Sequence, residues 1–154
     1  LLTFSLRPVH ELQAVIEEHL ERPHLRFAQR ALADEMTALV HGAHAAGAAA
    51  EAAELLFAGD PTSASEAAFT TLAAEVPSST MAAAELGDPI GVFVATGLAS
   101  SNGDARRTLA QRAYYANGAQ LDANALLSEL ELLHGRYLLL RKGKKSHHLV
   151  EIIS

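Results

Sequence analysis

Asn117-Gly118 decides the local topology before any other pair in the chain does. Both residue types tolerate positive φ, so the pair fits a type I′ turn and folds Tyr114-Tyr115-Ala116 back as one arm of a hairpin. Alternation along that arm sends Tyr114 and Tyr115 to opposite faces. At most one of them enters a core, and the other is a candidate for stacking on a base. Upstream, Ser101 with Asp104 three residues on reads as a capped helix start. That helix carries Arg106, Arg107 and Arg112, with Ala105 and Leu109 as an apolar stripe. Downstream, residues 136–141 and 147–153 read as paired strands around a turn that gathers Arg141, Lys142, Lys144 and Lys145 about Gly143. A helix N-terminus beside a hairpin tip offers N–H groups and guanidinium forks, the donors that phosphates take.

Charge separates this stretch from what precedes it. The chain has 154 residues and a net charge of −6. Residues 1–88 hold four arginines against thirteen acids, whereas residues 89–154 hold eight lysines and arginines against five acids. The overall sign argues against indiscriminate coating of nucleic acid, DNA included. The split argues for a basic, RNA-facing module joined to an acidic one. A hydrophobic content of 49% with 19% charged residues can support a core. No cysteine is present, so disulfide and thiolate chemistry are excluded and a reducing cytoplasm is the expected setting. No apolar run approaches the roughly 20 residues of a membrane span, so no membrane partner is expected.

The N-terminal part reads as helices. Pro8 opens one over 8–21, with Val9, Leu12, Ile16 and Leu20 at helical spacing, and Pro23 breaks it. A second is expected over 24–41, ended by Gly42, and a third, nearly all alanine, over 43–58, closed by Gly59-Asp60-Pro61. Ser63 with Glu66 signals a capping box for a fourth that runs to Glu75. Residues 77–87, small and polar between proline and glycine, read as a linker. Asp88-Pro89 then starts a helix containing Ile90, Phe93 and Val94, ended by Gly97. Residues 122–133 are leucine-rich, and helix and irregular chain remain open for them.

Several segments carry a family resemblance. Leu2-Thr3-Phe4, AQRALADEMTALVHG (28–42), ELLFAGD (54–60), VATGLASSNGDARR (94–107), NGAQLD (117–122) and HGRYLLLRKGKKSHHLV (134–150) resemble, in order and spacing, the C-terminal half of bacterial tyrosyl-tRNA synthetases. The resemblance implies an α+β fold. An all-α, anticodon-binding-like bundle would cover 1–76. A small RNA-binding domain, of the kind named after ribosomal small-subunit protein four, would cover 88–154, with two helices on a short antiparallel sheet of hairpins. It implies tRNA for tyrosine as partner and Ser101, Asn102, Arg106, Arg107, Arg112, Asn117, Arg141, Lys142, Lys144 and Lys145 as RNA-binding residues. It further implies that ATP and tyrosine bind a catalytic domain outside this chain, so that no cofactor and no catalytic residue is expected here. The parent would dimerise through that domain, leaving this chain monomeric. Asn102 stands where the family often has lysine, Arg112-Ala113 replaces a frequent glycine-containing pair, and Tyr114 and Ala116 replace branched aliphatics.

Other chemistry is poorly supported. Lys142-Gly143-Lys144-Lys145-Ser146 is superficially similar to the family's mobile catalytic loop, but it follows a strand in a hairpin and reads as a phosphate-binding turn. His41 and His44 straddle Gly42, and His147 and His148 alternate across a strand, so no metal site is expected. Glu17, Glu18, Glu21, Glu51 and Glu54 read as solvated helix faces. Two other functions compete: a stand-alone RNA-binding module of the same C-terminal type, and an alanine-rich helical protein-interaction domain.

Overall fold

The structure, a computed structural model, describes residues 5–57 and 60–153. Leu2-Thr3-Phe4, Ala58 and Gly59, which the sequence reading used, lie outside the described residues. The chain forms two compact units that meet between Ala50 and Glu51.

In the first unit, α1 (Val9–Glu21) packs against α2 (Phe27–His41). The second helix begins later than its periodicity predicts. Pro23 opens a single 3-10 turn (Pro23–Leu25), and Arg26 in the left-handed region (φ 56°) redirects the chain before α2 can start. The expected stripe on α1 also shifts. Leu12 is buried, but Val9 and Leu20 are 63% and 72% exposed. At 3.6 residues per turn these two lie about 60° and 80° round the helix from buried Leu12. Ahead of α1, the Glu35 carboxylate on α2 accepts hydrogen bonds from the Ser5 hydroxyl and the Leu6 N–H. Those bonds, the Ser5 hydroxyl foremost, hold Glu35 below the usual carboxylate pKa.

The second unit is organised by a five-stranded sheet in the order β1-β5-β4-β2-β3, from β1 (Ser78–Ala82), β2 (Tyr114–Ala116), β3 (Ala119–Gln120), β4 (Tyr137–Lys142) and β5 (Ser146–Ile153). The hairpins are antiparallel as expected, but β1 runs parallel to β5, with Ser78 opposite Leu149 and Ala82 opposite Ile153. The stretch 77–87, expected as a linker, therefore supplies an edge strand and a 3-10 segment (Ala83–Gly87). Small polar residues read as linker because an edge strand buries little; here Met81 is its one buried side chain.

Each sheet face carries its own core. Against one face pack α5 (Pro89–Ala95) and α6 (Asn102–Ala110), enclosing Phe93, Ala105, Leu109, Tyr114, Leu138, Leu140 and Val150. Against the other pack α4 (Glu66–Glu75) and the end of α3 (Ala43–Phe57), enclosing Leu55, Phe69, Leu72, Tyr137, Leu139 and Leu149. The elements assigned from sequence to the end of a helical domain over 1–76 thus belong to the sheet's second layer. The cap of α4 is Ser65, which accepts from the Ala68 N–H, and not Ser63. Asp60 turns the chain first, accepting from the N–H and hydroxyl of Thr62 to cap a 3-10 turn at Pro61–Ser63. Residues 122–133 settle as irregular chain. An Asx turn at Asp122 and a 3-10 turn (Leu127–Glu129) drop Leu127 fully into the core. The fold is α+β.

Candidate nucleic-acid interface

The α6 start forms as its sequence predicts. The Ser101 hydroxyl accepts from the Asp104 N–H at 3.2 Å, and the Asp104 carboxylate reaches back to the N–H and hydroxyl of Ser100. Asp104 does more than cap. Its two oxygens also accept from Arg107 at 3.0 Å and from Lys142 Nζ at 3.2 Å, so one carboxylate joins a helix cation to a strand cation 35 residues further on. The Ser100 N–H first, then Lys142, hold the Asp104 carboxyl far below the usual range.

A second contact sets the basic turn. Gly143, at φ 61°, donates its N–H to the Ala113 carbonyl at 2.8 Å, which seats the β4–β5 turn beside the exit of α6. Arg112, Lys142, Lys144 and Lys145 are thereby gathered at one end of the sheet. Among the described residues no carboxylate pairs with Arg112, Lys144 or Lys145. Arg112 itself sits at φ 54°, in the left-handed region where glycine carries no Cβ penalty.

Not every candidate joins this cluster. Arg106 points elsewhere and lines a groove with Pro89, Ile90, Leu109 and Leu126. Asn102 is exposed in the first turn of α6. Asn117 forms the expected turn with Gly118 (φ 48° and 83°), but its side chain is spent internally. Its Nδ2 donates to the Glu131 carbonyl at 2.8 Å and its Oδ1 accepts from the Leu139 N–H at 2.9 Å. Arg141 faces away from Lys142, because neighbouring strand residues alternate. Its guanidinium lies 4.2 Å over the Tyr115 ring, across the β2–β4 ladder. Tyr114 is the buried one of the pair: it stacks on Phe93 at 3.7 Å and donates its hydroxyl to the Leu98 carbonyl.

Sequence reasoning missed two participants. His147, opposite Arg141 in the β4–β5 register, was weighed only as a metal ligand. The reach of Asp104 to Lys142 was invisible because it spans two elements; only the i, i+3 spacing to Arg107 could have signalled part of it. Among the described residues no cluster of three or more His, Asp or Glu could hold a metal, and no helix is long and apolar enough to cross a membrane.

The chain is similar to known proteins over most of its length. Residues 68–150 match the family model described as the tyrosine–tRNA ligase SYY-like C-terminal domain. The tyrosine–tRNA ligase of Kineococcus radiotolerans is 43% identical over 148 residues, which is 95% of this chain and 35% of that protein. That of Streptomyces griseus subsp. griseus is 41% identical over 155 residues, or 99% and 36%. The solution structure of a tyrosyl-tRNA synthetase C-terminal domain aligns at 26% identity over 63% of this chain and 98% of its own, with a TM-score of 0.46. The chain spans about a third of the length of the curated relatives it matches. With more than half of its residues covered by the family model, the chain belongs to the tyrosine–tRNA ligase SYY-like C-terminal domain family.

Proposed function

We propose that this chain is the tRNA-binding portion of a tyrosine–tRNA ligase and grips the backbone of tRNA for tyrosine. The observation that carries the reading is the seating of the β4–β5 turn on Ala113, which collects Arg112, Lys144 and Lys145, without carboxylate partners among the described residues, beside the exit of α6. Phosphate contacts from such a cluster position a nucleic acid, and base contacts elsewhere specify it. Ser101, Asn102, Arg107 and Lys142 extend the same surface. Asn117 supports it from within, and Arg106 and Arg141 lie off it. In this reading ATP, tyrosine and the dimer contact belong to another part of the ligase, the chain alone is a monomer that does not aminoacylate, and it works in the cytoplasm.

Titration with tRNA for tyrosine and with a tRNA of short variable arm, across a range of salt, tests this. Each phosphate contact contributes roughly −0.7 to −0.9 to the slope of log K against log salt. Four to six contacts, with tighter binding of the tyrosine tRNA, are expected. Equal affinity for both tRNAs would leave a general RNA-binding module, and salt-insensitive or absent binding would remove the reading.

A further inference from the structure

The sheet face away from α6 ends in a cavity of about 140 Å³, lined by Tyr115, Arg141, His147, Leu139, Leu55 and Pro61. That volume is about ten times the smallest that holds a single water, enough for one ring system and too small for a folded peptide. Its walls combine three features seldom found together. Tyr115 is only half-buried, whereas Tyr114, Tyr137, Phe69 and Phe93 are all packed into the cores. The Arg141 guanidinium carbon stands 4.2 Å from the centre of the Tyr115 ring, and among the described residues it has no carboxylate partner. The Nε2 atom of His147 is shielded from solvent and has no hydrogen-bond partner. Pro61 stiffens the rim by packing on the turn, where a Cβ at Gly118 would meet its Cδ at 3.2 Å.

We propose that this cavity is a pocket for one unstacked nucleobase, held by the Tyr115–Arg141 stack and hydrogen-bonded by His147. The inference rests on the RNA-binding reading above and deepens it. A base supplies a flat π-face for the guanidinium and the phenol, and an edge with donors and acceptors for the orphaned imidazole nitrogen. Burial lowers the His147 pKa, helped by the nearby Arg141 charge and opposed by a hydrogen bond to the Lys145 backbone, so the ring is neutral near pH 7 and Nε2 is the nitrogen left to bond a base. Lys144 and Lys145 stand on the turn that joins the Arg141 and His147 strands, placed for the phosphates on either side of an extruded base.

The test compares two end-labelled RNA octamers by fluorescence anisotropy with the whole chain: an unstructured octamer and one whose central nucleotides are abasic, with the same phosphates. Stacking one base is worth roughly 5- to 140-fold in Kd. The base-bearing octamer is expected to bind at least 5-fold tighter, with the same salt slope. Tyr115→Ala, Arg141→Lys (which keeps the charge) and His147→Gln are each expected to shrink that ratio while the slope persists. Equal, salt-sensitive binding of both octamers by the unaltered protein would overturn the pocket and leave backbone binding standing. A base preference untouched by all three substitutions would overturn it as well. No binding of either octamer would overturn both readings.

Discussion

On the sheet face covered by α5 and α6, Tyr114 is sealed against Phe93 and its hydroxyl is satisfied by a backbone carbonyl; on the opposite face its neighbour Tyr115 lies beside an open cavity with a guanidinium across its ring. The same alternation divides the basic turn. Lys142 turns toward Asp104 and α6, whereas Arg141 turns toward α3 and Pro61. Two tyrosines and two cations, each pair adjacent in sequence, thus serve opposite surfaces. One face stabilises the fold up to its margin, and the other leaves its margin unfinished. Burial and availability are settled by a period of two, not by residue type.

The largest test of that contrast is truncation of the two rings. Tyr114→Ala is expected to cost about 3–5 kcal/mol in urea unfolding, as for other fully buried aromatics, and Tyr115→Ala under about 1 kcal/mol. Equal losses would break the contrast. Next comes the turn that sets both arms in register. Asn117→Ala removes two internal hydrogen bonds and places a Cβ at positive φ without side-chain compensation, for an expected loss of about 2–3 kcal/mol. Asn117→Gly keeps the turn but not the bonds and should fall between alanine and wild type.

Acidification probes both faces through their histidines. His148, 6% exposed and bonded to the Ser79 hydroxyl, and His147 both have pKa values lowered chiefly by burial. The unfolded chain then binds protons first, so stability is fully present above about pH 6.5 and declines as pH falls below it. Thermal unfolding between pH 7.5 and 5 should show this decline, and it should be flatter in His148→Gln than in His147→Gln if the covered face dominates. The smallest effect is expected at the joint leading into β2. Arg112→Gly relieves a left-handed non-glycine residue and should raise stability by up to about 1 kcal/mol. It should also shorten the salt slope of tRNA binding by one contact, roughly 0.7–0.9. A substitution that stabilises and weakens binding together would show that Arg112 is kept for its charge.

Much of this was legible in the residues. Asn117-Gly118, Ser101 with Asp104, and the strands flanking Gly143 each act through local geometry, and each formed as read. What could not be read lies in pairings between distant segments. Nothing in Ser78–Ala82 announces a parallel partner at Leu149–Ile153, because a short edge strand has the composition of a loop. Capping signals at 60–65 were ambiguous because Asp60, Ser63 and Ser65 are all competent caps, and the 3-10 turn took the first of them. The basic residues were visible as a cluster in sequence, but alternation and the Asp104 contact decided which of them share a surface. Val9 and Leu20 show the same limit in a helix: periodicity finds a stripe, while the neighbour decides which edge of it is covered.

The strand order has a consequence for synthesis. β5 is the last of the five strands to leave the ribosome, yet it lies between β1 and β4. Until it emerges, β1 has no partner, and the rows of Leu138, Leu140 and Tyr137, Leu139 on β4 lack the Leu149 and Val150 that complete their cores. Long-range pairing of this kind is slow, and unpaired strand edges expose a nascent chain to aggregation. Translation must therefore run through β5 before the basic end of the sheet acquires its shape. A ribosome stalled shortly before that point holds a chain in which Arg112, Lys142, Lys144 and Lys145 are already made but the sheet that sets their places is incomplete.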